Sequence, residues 1–144
     1  MAIIESGLII NGLPLIRSEY YPKNTGVDPF IQTGLFTAIQ SFASDAFMDE
    51  VEEMKFKRYA ILMKDLEPLT HEQKILYIIA EKGTDLTEAK KRLEALAKDL
   101  DLENMVLDTP TMTNELREVK KIIDKQLKDL ALKPADRAKS VFGD

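Results

Sequence analysis

The sequence has no cysteine and no tryptophan, and a single histidine in 144 residues. Without cysteine there is no disulfide, no thiolate nucleophile and no zinc–cysteine site. His71 sits in the polar stretch Leu69-Thr70-His71-Glu72-Gln73. Triads and zinc sites need further partners that this stretch does not supply, so a solvated loop residue is the preferred reading. Long apolar runs are also missing. None approaches the roughly 20 residues of a membrane-spanning helix. The opening Met1-Ala2-Ile3-Ile4-Glu5 has no basic segment leading into a hydrophobic one, so no signal peptide is expected and a cytoplasmic location is. Glycine is sparse. Gly7, Gly12 and Gly83 match neither the Walker spacing nor the dinucleotide fingerprint, and they read as turn or bulge residues. No cofactor and no metal are expected.

An excess of positive charge is absent too. The formal net charge is −5 and the pI about 5.0. Basic residues are interleaved with acidic ones, as in Glu88-Ala89-Lys90-Lys91-Arg92-Leu93-Glu94. This pattern argues against a nucleic-acid-binding face and against strong attraction to an anionic membrane, leaving peripheral membrane association to come through partners.

What remains is an ordinary globular composition, 44% hydrophobic and 31% charged. A chain of this length suits one domain and can bury roughly two-thirds of its unfolded surface. The domain is expected over residues 1–134, with a polar tail at 135–144.

Ile3-Ile4 and Leu8-Ile9-Ile10 are rich in branched aliphatic side chains, Asn11-Gly12 favours a tight primed turn, and Leu13-Pro14-Leu15-Ile16 begins a second strand. Pro14 cannot donate to a ladder, which places it at an edge or at the strand's start. Tyr20 to Val27 is a loop. Asp28-Pro29 is a helix start, an acidic N-cap followed by proline at the first helical position. That helix runs to about Met48. Strands are expected at Val51–Phe56, Tyr59–Lys64 and Lys74–Ala80; the last is an almost continuous apolar run, fitting a strand covered on both faces. Asp85 and Glu88 have capping-box spacing ahead of a helix from Leu86 to about Leu100. After a linker containing Pro110, Thr113 is expected to cap a last helix that ends at Pro134, with Leu116, Val119, Ile123, Leu127 and Leu130 on one face.

The order β-β-α-β-β-β-α-α is that of longin domains, a branch of the profilin-like folds that also holds the roadblock/LC7 proteins. Residues 3 to 130 resemble this family. The resemblance is carried by the Gly12–Leu15 opening of the second strand, Asp28-Pro29, the Gly34-Leu35-Phe36-Thr37-Ala38-Ile39-Gln40-Ser41-Phe42-Ala43 helix and the hairpin from Lys55-Phe56 to Tyr59-Ala60-Ile61-Leu62. The helix is similar to that of archaeal longin- and roadblock-like proteins. Roadblock proteins usually begin with an extra helix, which this chain lacks, and two helices after the fifth strand favour longin. The resemblance implies an α+β fold, a five-stranded antiparallel sheet with one helix on one face and two on the other. It also implies action by protein–protein contact: homo- or heterodimerisation, binding of Ras-like small GTPases, and scaffolding in membrane trafficking. The family has no conserved active site, so no catalytic residue carries over.

In the first helix, Phe30, Ile31, Leu35, Ala38, Ile39, Phe42 and Ala46 are spaced three and four apart, and Ile31, Leu35, Ala38, Ile39, Phe42 and Ala46 are assigned to the sheet. Gly34 would then permit close contact with the sheet. Phe36, Ala43 and Phe47 fall on a different side, spaced seven and four. They form either an interface for a partner or a patch covered by the Tyr20–Val27 loop. The last helix poses the same question, and packing on the sheet is preferred because an uncovered sheet face is costly. Asp45, Asp49, Glu50, Glu52 and Glu53 form an acidic cluster without calcium-loop spacing, read as a solvated loop. The leading function is therefore a non-catalytic interaction domain. The alternative is a small-molecule sensor of the PAS or GAF kind, with an apolar cavity lined by Phe42 and Ile78. No convergent set of titratable groups supports an enzyme.

Overall fold

The computed structural model describes residues 3–20, 28–66, 73–99 and 112–131. His71, the Pro110 linker, Pro134, most of the Tyr20–Val27 loop and the 135–144 tail lie outside the described residues. The elements are β1 (Ile3–Ile10), β2 (Leu13–Glu19), α1 (Pro29–Phe47), β3 (Glu53–Lys55), β4 (Tyr59–Asp65), β5 (Lys74–Glu81), α2 (Thr87–Asp99) and α3 (Met112–Ala131). The strands form one antiparallel sheet in the order β2-β1-β5-β4-β3. This is the expected α+β architecture and element order.

Local chemistry accounts for the first hairpin turn and for the starts of α1 and α2. Asn11 (φ 51°) and Gly12 (φ 83°) both adopt the left-handed conformation that a primed hairpin turn needs. Asn11 also bonds to Gln73 in both directions, through its own N–H (2.8 Å) and through its side-chain oxygen (3.0 Å), fixing the hairpin tip to the start of β5. Asp28 caps α1 by accepting from the Phe30 N–H at 2.9 Å, with Pro29 at the first helical position. Asp85 accepts from the Thr87 N–H at 3.0 Å ahead of α2, and these donors hold its carboxyl below the usual range. Thr113 is not the cap expected of it, because α3 already begins at Met112.

β5, in the middle of the sheet, is buried on both faces, and its alternation divides the core in two. Leu76, Ile78 and Ala80 join Leu8, Ile10 and Leu62 beneath α2 and α3, where Ala89, Leu93, Leu96, Val119, Ile123 and Leu127 close the layer. Ile75, Tyr77 and Ile79 join Ile9, Ile61 and Met63 on the opposite side, beneath Phe36 of α1. The sheet thus lies between one helix and a helical pair, and the apolar face of α3 is spent inside the domain. Arg92 ties α2 to α3 by donating to the Gln126 carbonyl at 2.7 Å and to Asp129. Tyr20 ties the end of β2 to α3 by donating to Asp124 at 3.0 Å, and shares a hydrogen bond with Ser6 of β1 at 2.9 Å.

β3 is shorter than the expected Val51–Phe56. Val51 is not in a ladder, because the Gln40 side chain takes both of its backbone groups, each at 2.8 Å. Glu52 still accepts from the Met63 N–H at 3.0 Å, but pairing in register is confined to Glu53–Lys55.

Candidate functional site

The side chains α1 presents inward are Thr33, Phe36 and Gln40, all buried. Two of them are polar, and each has a specific partner. Thr33 donates to the Pro29 carbonyl at 3.0 Å and to the Gly12 carbonyl at 3.1 Å. Gln40 holds Val51. Between them, the Phe36 ring meets the Tyr77 ring with centroids 5.5 Å apart and planes tilted by 58°. A buried polar group lies beside this contact. The Glu5 carboxylate, fully buried, accepts from the Tyr77 hydroxyl at 2.6 Å and from the Gln32 amide at 3.2 Å, and faces Arg17 at 3.4 Å. Burial pushes the Tyr77 hydroxyl well above its ordinary pKa, and the Glu5 charge pushes it further.

This arrangement reverses the expected orientation of α1. Ile31, Leu35, Ala38, Phe42 and Ala46 were assigned to the sheet and are exposed; of that set only Ile39 packs against the core. The expected outer set is divided. Phe36 is 1% exposed, Ala43 is half-buried, and Phe47, in the last turn, is 80% exposed. Gly34 does not approach the sheet: a Cβ there would meet nothing within 4 Å. The reason is physical. α1 carries apolar residues around most of its circumference and one charged residue, Asp45, so periodicity alone does not identify the inner face. The identifying signal was Thr33 and Gln40, polar residues able to satisfy backbone groups, spaced around Phe36.

The outcome is an uncovered apolar surface among the described residues. Ile31 is 70% exposed, Leu35 47% and Phe42 72%, with Phe30, Phe47 and Met48 exposed at its two ends. A helix of 19 residues is about 28 Å long at 1.5 Å per residue. Isolated exposed apolar side chains are common on protein surfaces, but here Ile31, Leu35 and Phe42 share one face of the helix. The cavity expected between sheet and helix is overturned as well. Phe42 lies on the outside of α1, and Ile78 lies across the sheet in the layer under α2 and α3.

The acidic cluster is spread over separate partners. Glu50 pairs with Lys64 at 3.3 Å and accepts from the Asp65 N–H at 3.1 Å, Glu53 pairs with Lys90 at 3.0 Å, and Asp49 accepts from the Glu50 N–H at 2.8 Å. Lys64 also meets Glu94 at 3.4 Å. Burial works to lower the Lys64 pKa, and Glu50 and Glu94 together reverse that and raise it. Among the described residues no three histidine, aspartate or glutamate side chains converge as a metal site, and no helix is long and apolar enough to cross a membrane.

Sheet order, helix placement and surface together define the class: a five-stranded antiparallel sandwich whose single-helix face presents apolar side chains outward. The chain matches no family model and no curated protein. Among solved structures it is similar to one described as MglB with tetrameric arrangement, at 16% identity over 87% of this chain and 80% of that one, with a TM-score of 0.43. A likeness at that identity and score carries no conclusion about what this chain does.

Proposed function

We infer that this chain is a non-catalytic protein-interaction domain that docks through the outer face of α1, and that its first partner there is a second copy of itself. The observation behind this reading is the exposed row of Ile31, Leu35 and Phe42 on a helix with one charged residue. Stable protein interfaces bury about 800 Å² per partner, and a helix of this length with aromatic and aliphatic anchors can supply most of that area. Gly34 and Ala38, one turn apart and exposed among the larger side chains, let a second helix approach closely. The resemblance of the Gly34–Ala43 segment to longin and roadblock proteins extends the reading to a Ras-like small GTPase, or a trafficking scaffold, as the partner of the paired form.

Light scattering after size exclusion, together with pulldown against the host's Ras-like GTPases, tests this. Wild type runs above the mass of one chain and retains a GTPase. The double variant Leu35→Glu, Phe42→Glu runs as a monomer and releases it. A wild-type protein that is monomeric at all concentrations contradicts the pairing, and a paired protein that retains no GTPase contradicts the extension alone.

A further inference from the structure

The net charge of −5 conceals one local exception. The hairpin joining β3 to β4 reads Lys55-Phe56-Lys57-Arg58, and all four side chains are exposed. Phe56 donates its N–H to the Tyr59 carbonyl at 2.8 Å, closing the turn around Lys57 and Arg58. The Arg58 carbonyl accepts from the Lys82 N–H at 2.9 Å, so the turn after β5 is tied to the hairpin and brings a fourth exposed cation beside it. Lys55, Lys57, Arg58 and Lys82 form no ion pair among the described residues, whereas Lys64, Lys90 and Arg92 each do. Of the nearby acidic residues, Glu81 is half-buried opposite Tyr59 and Asp85 is engaged at the start of α2. Residues 1–2, 21–27 and 132–144 adjoin in sequence the ends of β1, β2 and α3 nearest this tip. They carry Lys23, Lys133, Arg137 and Lys139 against Asp136 and Asp144, so they do not supply the acid to neutralise it.

Neither turn chemistry nor packing accounts for these residues. Two-residue hairpin turns favour asparagine, aspartate and glycine, as Asn11-Gly12 illustrates, whereas Lys57 and Arg58 adopt no left-handed conformation. Phe56 is 42% exposed and joins neither core cluster. An aromatic ring held out among unpaired cations suits the boundary between charged headgroups and hydrocarbon, where the ring enters and long basic side chains keep their charges in the headgroup layer.

We propose that this tip docks the protein on an anionic lipid surface, with the four cations meeting headgroup phosphates and carboxylates and the Phe56 ring entering the interface between them. The shape favours a plane. The turn projects past Tyr59 and Glu81, the last paired residues of β4 and β5, so a flat surface meets the tip alone. The acidic remainder of the chain then stays back from the bilayer, where salt screens its repulsion. A nucleic acid or an acidic peptide long enough to use all four cations would instead run on to the exposed Glu52 and Glu88. This site is independent of the α1 reading, and either one can fail alone.

The full chain tests the proposal with vesicles of phosphatidylcholine, with and without phosphatidylserine. Because the chain has no tryptophan, Phe56→Trp makes a single reporter. Its emission should shift to the blue, and be quenched by brominated lipid, only when phosphatidylserine is present. Co-sedimentation of the unsubstituted chain should show saturable binding to the same vesicles that weakens as salt is raised. Each cation near such a surface is worth about fivefold in partitioning, so Lys57→Ala with Arg58→Ala should lower the affinity by about twentyfold. Both are exposed turn residues, and circular dichroism should show the fold unchanged. The variant Leu35→Glu, Phe42→Glu should retain saturable binding. Equal binding to the two kinds of vesicle, insensitivity to Lys57→Ala with Arg58→Ala, or an emission from Phe56→Trp that does not move would each overturn the proposal. So would complete loss of vesicle binding in Leu35→Glu, Phe42→Glu, which assigns the contact to α1, or tighter binding to an oligothymidylate or a polyglutamate peptide than to the vesicles.

Discussion

Gln40 and Val51 exchange two hydrogen bonds, both 2.8 Å, so that one side-chain amide stands in for a neighbouring strand. Gln40 itself is 2% exposed. Gln40→Leu fills similar space and leaves the Val51 N–H and carbonyl without partners, a loss of about 1–3 kcal/mol for each group that stays buried. Urea denaturation should register a drop in this range, and hydrogen exchange should show the Val51 amide losing protection before the β4 and β5 amides do. An unchanged midpoint would mean that water replaces the amide without penalty.

Gly7 is required by close packing. A Cβ at this position would lie 2.4 Å from the Ile16 carbonyl oxygen and 2.6 Å from the Tyr77 ring and hydroxyl. The carbonyl is backbone and has little freedom to move aside. Gly7→Ala should therefore cost about 1–3 kcal/mol, the usual range for overpacking, and displace Tyr77 from Glu5. Thermal denaturation and the tyrosine near-ultraviolet signal would register both effects.

Gly34 behaves in the opposite way. It sits inside α1 with open space where its side chain would be. In the Leu35→Glu, Phe42→Glu background, where association is removed, Gly34→Ala should raise stability by about 1 kcal/mol through helix propensity alone. In the otherwise wild-type chain the proposed pairing through α1 predicts that the same methyl weakens self-association, because it would stand between the two helices.

Alkaline pH provides a separate test of the buried cluster. Tyr77 keeps its proton more firmly when folded than when unfolded, because it is buried and faces Glu5, with Arg17 opposing that effect. Its contribution is complete below the unfolded tyrosine pKa of about 10 and is lost as pH rises above it, by about 1.4 kcal/mol per pH unit. Between pH 10 and 12 the denaturation free energy should fall less steeply for Tyr77→Phe than for wild type. Slopes, not absolute values, are the comparison, since phenylalanine also removes the 2.6 Å donor to Glu5. Equal slopes would place the hydroxyl in contact with solvent.

The elements of this fold were readable from the sequence because they depend on local chemistry. Asn11-Gly12, Asp28-Pro29, Asp85 and the apolar run of β5 each specify a turn, a cap or a buried strand with little help from the rest of the chain. The orientation of α1 was not readable in the same way. It depends on what Thr33 and Gln40 bond to, namely the Gly12 carbonyl and Val51, and both partners are brought there only by the folded chain. Thr33, Thr37, Gln40, Ser41, Ser44 and Asp45 share one side of the helix, and a polar side reads as the solvent side, whereas the folded chain turns Thr33 and Gln40 of that side inward. The slip of β2 against β1 escaped the sequence for a related reason: a bulge is a register property, and nothing in Leu13-Pro14-Leu15-Ile16 states where the pairing will shift.

The inner and outer faces of α1 also make opposite predictions under substitution. Phe36→Ala removes a buried ring and should cost about 3–5 kcal/mol, whereas changes at exposed Ile31, Leu35 or Phe42 should alter monomer stability by no more than about 0.5 kcal/mol. Denaturation of the single variants separates the two classes.

The most direct test of the account is the solution mass of the wild-type chain and of Leu35→Glu, Phe42→Glu, measured by light scattering over a range of concentrations. One chain is 16.3 kDa. The account predicts a wild-type mass of two chains or more that falls on dilution, and a folded double variant at 16.3 kDa throughout. A wild-type protein at the single-chain mass at every concentration, or a double variant that associates as wild type does, would contradict it.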